Sequence, residues 1–259
     1  MGPLSAGEYS LPGNVSSQFI TGLMLALPTL PDDSRIIITT GLESRSYVEL
    51  TRAALAAFGV EIVWESEQTL YVRGGQKYIP SDVTVEGDYS GAAFLLALNH
   101  LGASVRVEGL LPDSLQGDRV ADELFYSIRR GSAVIDISDC PDLGPILFAV
   151  AAALGGATFV GTKRLQIKES DRAAVMAEEL SKFGVKLTLW DNSVTVAGGE
   201  LHTPKEELCA HNDHRIVMSL AVLATLTGGV IDGAEAISKS YPDFFSDLSR
   251  LGIRCETVE

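Results

Sequence analysis

One stretch of this chain occurs twice. FGVEIVWESEQTLYVRGG at 58–75 returns as FGVKLTLWDNSVTVAGG at 183–199. Both read as a helix end closed by glycine, an alternating strand, a tight turn, a second alternating strand and a Gly-Gly pair. The opening recurs in RGSAVIDIS from Arg130 and LGIRCETVE from Leu251, so Gly59, Gly131, Gly184 and Gly252 mark four junctions. A repeat of roughly 65 residues confines the chain to one supersecondary unit used several times.

Two kinds of helix alternate within the repeat. SSQFITGLMLAL, SGAAFLLALNHLG, LGPILFAVAAALGG and HRIVMSLAVLATLTGG are apolar nearly all round and are expected to be buried on most faces. They feed short strands such as ASVRVEG and ATFVG. SYVELTRAALAAFG, DRVADELFYSIRRG, SDRAAVMAEELSKFG and PDFFSDLSRLG carry clear polar faces and are expected outside. The unit reads strand–helix–strand–helix–strand–strand, an α/β pattern whose topology periodicity alone does not give.

Charge and cysteine content narrow the function. With 259 residues, 46% of them hydrophobic, the chain can bury one large core or two modest ones. A net charge of −14 argues against nucleic acid as a partner, so any anionic ligand needs a local basic cluster. Cys140, Cys209 and Cys255 are odd in number and lack framework spacing, as reduced thiols of a cytoplasmic protein would. The opening MGPLSAGEYSLPG reads as entry into a strand rather than a targeting segment, and no apolar run reaches membrane-spanning length.

The candidate chemistry lies where helices begin. Lys168 and Arg172 in KESDR, Arg215 in NDHR and Lys239 in SKSYPDFF stand at the positive ends of helix dipoles, where cations are unfavourable unless compensated. Each has a local explanation. Ser170 or Asp171 caps a helix while Glu169 pairs with Lys168; Asn212 or Asp213 caps the next while Asp213 pairs with Arg215. Pro242 takes a first helical position with Lys239 solvated, and Asp142 caps after Pro141. Taken together, the four cations suit a phosphate and a carboxylate in one cleft, with Asp142 and Glu169 as acid–base groups tuned by them. Cys209, His211, Asp213 and His214 are metal-ligand types, but their spacing matches no zinc pattern; no metal and no cofactor is expected.

Read in order, SSQF at 16–19, SRSY at 44–47, PD at 141–142, KESDR, NDHR and SKSYPDFF resemble the carboxy-terminal motifs of the 5-enolpyruvylshikimate-3-phosphate synthase family. The resemblance runs from Gly2 to Glu259, and GPL, LPGN and VEGDYSGAAF fit as well. It implies repeated βαβαββ units, four of the family's six, with residues 1–85 the last unit of a first domain and 86–259 a second domain of three. It implies transfer of the enolpyruvyl group of phosphoenolpyruvate to the 5-hydroxyl of shikimate 3-phosphate in chorismate and aromatic amino-acid biosynthesis, in a family that glyphosate inhibits. Ser16, Ser17, Gln18, Ser44, Tyr47 and Lys168 match residues that bind shikimate 3-phosphate. Asp142 matches the carboxylate near the reacting hydroxyl, and Glu169 a proton-transfer residue. Arg172, Arg215 and Lys239 match the clamp on phosphoenolpyruvate, with Lys239 also catalytic. Arg164 stands where some members carry asparagine.

The resemblance also implies an absent amino-terminal portion with further substrate contacts, which normally supplies the first strand of the other domain. Three readings follow: an incomplete shikimate-pathway transferase that needs that portion or self-association, a relative acting on UDP-N-acetylglucosamine, or a folded part that binds without turnover.

Overall fold

The computed structural model describes residues 3–131 and 134–258; Met1, Gly2, Ser132, Ala133 and Glu259, which the sequence reading uses, lie outside the described residues. The chain divides into two compact units, Met1–Glu86 with Asp113–Gly117 and Gly87–Pro112 with Asp118–Glu259.

The first unit runs β1 (Glu8–Leu11), α1 (Ser17–Ala26), β2 (Ser34–Ile38), α2 (Arg45–Ala57), β3 (Ile62–Ser66), β4 (Thr69–Val72). β1 and β2 are parallel, with Leu11 opposite Ile38. β4 lies antiparallel between β2 and β3, giving the order β1-β2-β4-β3. Period-two alternation buries Ser34, Ile36 and Ile38 of β2 on one face. There they meet Leu70 and Val72 of β4, Ile20 and Met24 of α1, and Val48 and Leu55 of α2.

The second unit begins with α3 (Tyr89–His100) and α4 (Ala121–Arg129). Next come β5 (Val134–Asp136), α5 (Gly144–Leu154), β6 (Gly156–Val160), α6 (Arg172–Lys182), β7 (Leu187–Leu189) and β8 (Ser193–Ala197). It ends with β9 (Leu208–Cys209), α7 (His214–Thr227), β10 (Ile231–Asp232) and α8 (Phe244–Arg250). The order β5-β6-β8-β7, with a parallel first pair and antiparallel hairpin strands, repeats the first sheet. β9 and β10 form a parallel pair of their own. The architecture is α/β with mixed sheets.

The junction glycines explain the repeat. Gly59, Gly131, Gly184 and Gly252 all have φ between 76° and 89°, a left-handed conformation that costs a side chain free energy. After α2, α6 and α8 the hydrogen bonds are those of a Schellman closure. Val60, Val185 and Ile253 donate to Leu55, Leu180 and Leu248, and the glycine before each donates one residue further along. The chain therefore leaves each of these helices at one angle.

Three expectations need correction. ASVRVEG is strand-like in composition but forms no strand, because strand structure needs a ladder partner. Its backbone is held instead by the side chain of Asn99, which donates to Val105 O (2.9 Å) and accepts from Val105 N (2.5 Å). The described residues after Leu251 are likewise outside any strand. The apolar helices also differ in burial. Gly144–Ala152 of α5 is wholly buried among α3, α4, α6 and α7, whereas α1 leaves Phe19 60% and Leu25 54% exposed. Apolar composition states what a helix can bury; neighbours decide what it does bury.

Candidate active site

In the second unit α5 and α6 leave the carboxyl ends of the parallel strands β5 and β6, so their starts lie at one edge of the sheet. A 3-10 turn, Pro141–Leu143, leads into α5 and carries Asp142 without using it as a cap. Asp171 caps α6 by accepting from Ala174 N, which makes Arg172 its first residue. Asp213 caps α7 by accepting from Arg215 N (2.9 Å). Lys239 ends a 3-10 helix, Ala234–Lys239, and donates to Asn212 O. α8 starts at Phe244, so Pro242 precedes it and is not its first residue.

The cations choose partners other than their neighbours in sequence. Arg172 forks onto Asp213, with Nε 2.8 Å from Oδ2 and Nη2 3.3 Å from Oδ1, and its Nη1 donates to Asp142 Oδ1 at 2.8 Å. Lys168 reaches the same Asp142 oxygen at 3.1 Å. Arg215 reaches Asp142 Oδ2 at 3.4 Å and donates to its carbonyl at 3.2 Å. Ser170 adds a hydroxyl to Asp213 at 3.0 Å. Asp142 is thus a hub for three cations brought from two helix starts. Glu169 faces His214 Nδ1 at 3.0 Å and Lys239 at 4.0 Å. Glu169 and Lys239 keep 39% and 38% of their side chains exposed, against 3% for Arg172, so a ligand from solvent meets them first.

Electrostatics follow from this packing. Burial by itself would raise the Asp142 carboxyl, but Arg215, Lys168 and Arg172 outweigh it and hold it well below the usual carboxylate range. Asp213 is held down against burial by Arg172. Burial lowers Lys168 despite Asp142. Burial, then Arg215, lowers His214 despite Glu169, favouring a neutral imidazole at neutral pH. Behind the network, Asp118 is buried, accepts from the Ser90 hydroxyl, and is pushed up by burial to about 6.

Lys168, Glu169, Arg172, Asp142, Arg215 and Lys239 therefore come together. Sequence reasoning missed Asp213 as the second partner of Arg172, His214 as the partner of Glu169, and Asp118. Asp213 and His214 stand more than forty residues from those partners, and no local pattern announces such pairs. The histidine-rich stretch splits up, with His211 turning to Glu179 and His214 to Glu169. In Glu169 with Asp213 and His214, and in Glu178 with Glu179 and His211, one possible ligand atom from each residue lies within 4.8 Å of the others. Their carboxylates Glu169, Asp213 and Glu179 already carry the basic groups of Lys239, Arg172 and Lys182.

The remaining predicted residues lie in the first unit, at the equivalent edge of its sheet. Ser16 caps α1, accepting from Gln18 N at 3.3 Å; Ser17 is buried and Gln18 exposed. Ser44 is buried with φ 53° before α2, and its carbonyl accepts from Tyr47 N. Thr40 ties the two loops together by accepting from Gly13 N and donating to Asn14 Oδ1, both at 3.0 Å. Gly13 leaves room for this approach, since a Cβ there would stand 2.6 Å from Ile38.

With these positions fixed, the comparisons decide the family. Residues 3–248 match the family model described as EPSP synthase (3-phosphoshikimate 1-carboxyvinyltransferase). The chain belongs to the EPSP synthase family. A 3-phosphoshikimate 1-carboxyvinyltransferase of Clostridium acetobutylicum is 43% identical over 97% of this chain and 62% of its own length. One from Clostridioides difficile is 39% identical over 98% and 63%. The EPSP synthase structure from Acinetobacter baumannii superposes with a TM-score of 0.80 at 22% identity, covering 99% of this chain and 64% of that one, and so shares its fold. The chain spans just under two thirds of the length of these family members.

Proposed function

We propose that this chain carries the larger part of an enolpyruvyl transferase that joins phosphoenolpyruvate to the 5-hydroxyl of shikimate 3-phosphate and releases phosphate. One observation carries the reading: basic side chains from three separate segments meet on two carboxylates, Asp142 and Glu169, in a largely buried network. Both substrates are multiply charged anions, and the addition intermediate holds a phosphate and a carboxylate on one carbon. Preorganised cations suit that species better than water does. The curated relatives favour shikimate 3-phosphate over a sugar nucleotide as acceptor.

In this reading Lys168, Ser16, Ser17, Gln18, Ser44 and Tyr47 bind shikimate 3-phosphate. Asp142 takes the proton of the attacking hydroxyl as the C–O bond forms. Glu169, starting protonated, delivers that proton to the methylene carbon and takes one back from the resulting methyl group as the C–O bond to phosphate breaks, while Asp142 gives its proton to the departing phosphate. Arg172, Arg215 and Lys239 hold the phosphoenolpyruvate anion, Lys239 beside the proton transfer. The free thiols fit a cytoplasmic enzyme.

The partner in this reading is the remainder of a full-length family member. Two features support it. α5 packs against α3, α4, α6 and α7, whereas α1, its counterpart, packs mainly on α2 and leaves Phe19 and Leu25 exposed. In both complete sheets the fourth strand lies between the second and third. A groove of about 600 Å³ runs between β10 and residues 253–258, where such a strand would lie. A second copy is the other occupant; sedimentation as a monomer at high concentration would exclude it.

The test is phosphate release from the two substrates by the chain combined with the amino-terminal remainder of a family member. Turnover should appear and fall at least about a hundredfold in Glu169→Ala. Arg215→Ala should weaken phosphoenolpyruvate binding by roughly 2–5 kcal/mol. A combined protein that binds neither substrate would end this reading.

A further inference from the structure

Two consecutive residues without glycine's freedom sit in left-handed backbone just before α7: His211 at φ 48° and Asn212 at φ 54°. Ala210 O accepts from Asp213 N at 2.9 Å, so residues 210–213 form a tight turn with positive φ at both central positions. Asparagine and histidine enter this conformation more readily than most side chains, but neither has glycine's freedom, and two in succession are costly. Strain of that kind persists only where surrounding structure over-determines it.

The surrounding structure is Glu179. Its side chain is fully buried in the last turn of α6, and both oxygens are occupied. Oε2 accepts from Cys209 N at 2.9 Å, Oε1 faces His211 Nε2 at 3.2 Å, and Lys182 Nζ lies 2.9 Å from each. Lys182 also donates to Glu207 O at 2.9 Å. Helix α6 thus grips the β9–α7 connection twice, by Arg172 on Asp213 and, two turns later, by Glu179 on Cys209 and His211. Lys239 closes the turn from the other side through Asn212 O. Immediately after it come Asp213, His214 and Arg215, which face Arg172, Glu169 and Asp142.

We propose that Glu179 is a positioning residue for the site: through Cys209 N and His211 it holds the strained turn at His211–Asn212 and so sets the direction in which α7 presents His214 and Arg215. A purely structural carboxylate would stabilise the unit as a whole. A positioning carboxylate acts on this turn, and its effect disappears when the turn no longer needs holding. The consequence for ligand affinity rests on the function proposed above; the consequence for the turn does not.

The experiment compares the unsubstituted chain, Glu179→Gln, Asn212→Gly and the double variant by amide hydrogen exchange. In Glu179→Gln the amides of Asp213 and Arg215 should exchange at least about tenfold faster while those in the middle of α5 are unchanged. Asn212→Gly, which prefers the turn, should restore protection in the double variant. Unchanged exchange at Asp213 and Arg215, uniform acceleration across the unit, or no rescue by glycine would each overturn the proposal. In the protein completed with its amino-terminal remainder, Glu179→Gln should weaken phosphoenolpyruvate binding about fivefold, again with rescue. Loss of binding in every variant, including the unsubstituted one, would count against the proposed function alone, because exchange at the turn decides the positioning role.

Discussion

In the first sheet the two helices that leave the parallel strands open with Ser16-Ser17-Gln18 and Ser44-Arg45-Ser46-Tyr47. In the second they open with Pro141-Asp142 and Lys168-Glu169-Ser170-Asp171-Arg172. Strand order, strand sense and the glycine closure of the second helix are the same in both. The first edge is mainly one of hydroxyls and an amide in turn and cap geometry, with Arg45 turned to Glu49 and the Trp64 ring; the second is a buried ionic hub. Framework and chemistry are therefore written in different residues: the first in helix ends and strand alternation, the second in helix starts. A chain can vary one while the other stays fixed.

The largest expected contrast lies at the hubs. Asp142→Asn leaves Lys168, Arg172 and Arg215 short of a carboxylate and should destabilise the second unit by about 3–5 kcal/mol in urea unfolding. Ser17→Ala in the first unit should cost less than about 1 kcal/mol. Equal costs would break the contrast. The apolar helices sharpen it. Phe148→Ala in α5 should cost about 3–5 kcal/mol, while Phe19→Ala in α1 should stay within about 0.5 kcal/mol.

A pH series separates two kinds of buried carboxylate within the second unit. Asp142 and Asp213 are depressed, so their stabilisation is present above the unfolded value near 3.8 and lost on acidification below it. Asp118 is raised from 3.8 to about 6, so its contribution is present below about 4 and lost as pH rises through 6. Stability of the unsubstituted chain relative to Asp118→Asn should fall between pH 4 and 6, by at most about 1.4 kcal/mol per pH unit. Parallel pH curves would show that Asp118 ionises freely. The smallest contrast should lie at the shared closures. Gly59→Ala and Gly184→Ala place a Cβ 2.8 Å from Ile79 and 2.7 Å from His202, at φ 76° and 87°. Each should cost about 1–2 kcal/mol, and markedly unequal costs would mean that the two sheets do not share this device.

The framework was largely legible in the sequence because its signals are local. The junction glycines, the FGV hairpins and the caps at Asp171 and Asp213 each need only a few neighbouring residues. ASVRVEG misled because alternation describes a strand's faces and says nothing about a neighbour for its edge. The burial of α1 misled for the same reason, since SSQFITGLMLAL and LGPILFAVAAALGG are alike in composition and differ in what packs on them. At the site, the cluster of cations at helix starts was legible, but its pairing was not. The expected local pairs, Lys168 with Glu169 and Arg215 with Asp213, give way to Asp142 with Lys168 and Arg215. Glu169 with His214 and Glu179 with His211 join residues that only the fold brings together.

The glycine-closed helix ends have a practical consequence. Each helix starts at the carboxyl edge of its parallel strand and runs back, so its closure lies at the opposite edge of the sheet, away from Asp142 and its cations. The two edges can therefore be handled separately by a protein engineer. Affinity tags, fluorophores or designed breaks in the chain belong on the closure edge, clear of the β9–α7 connection, where they can report on the unit without disturbing Asp142 and its cations.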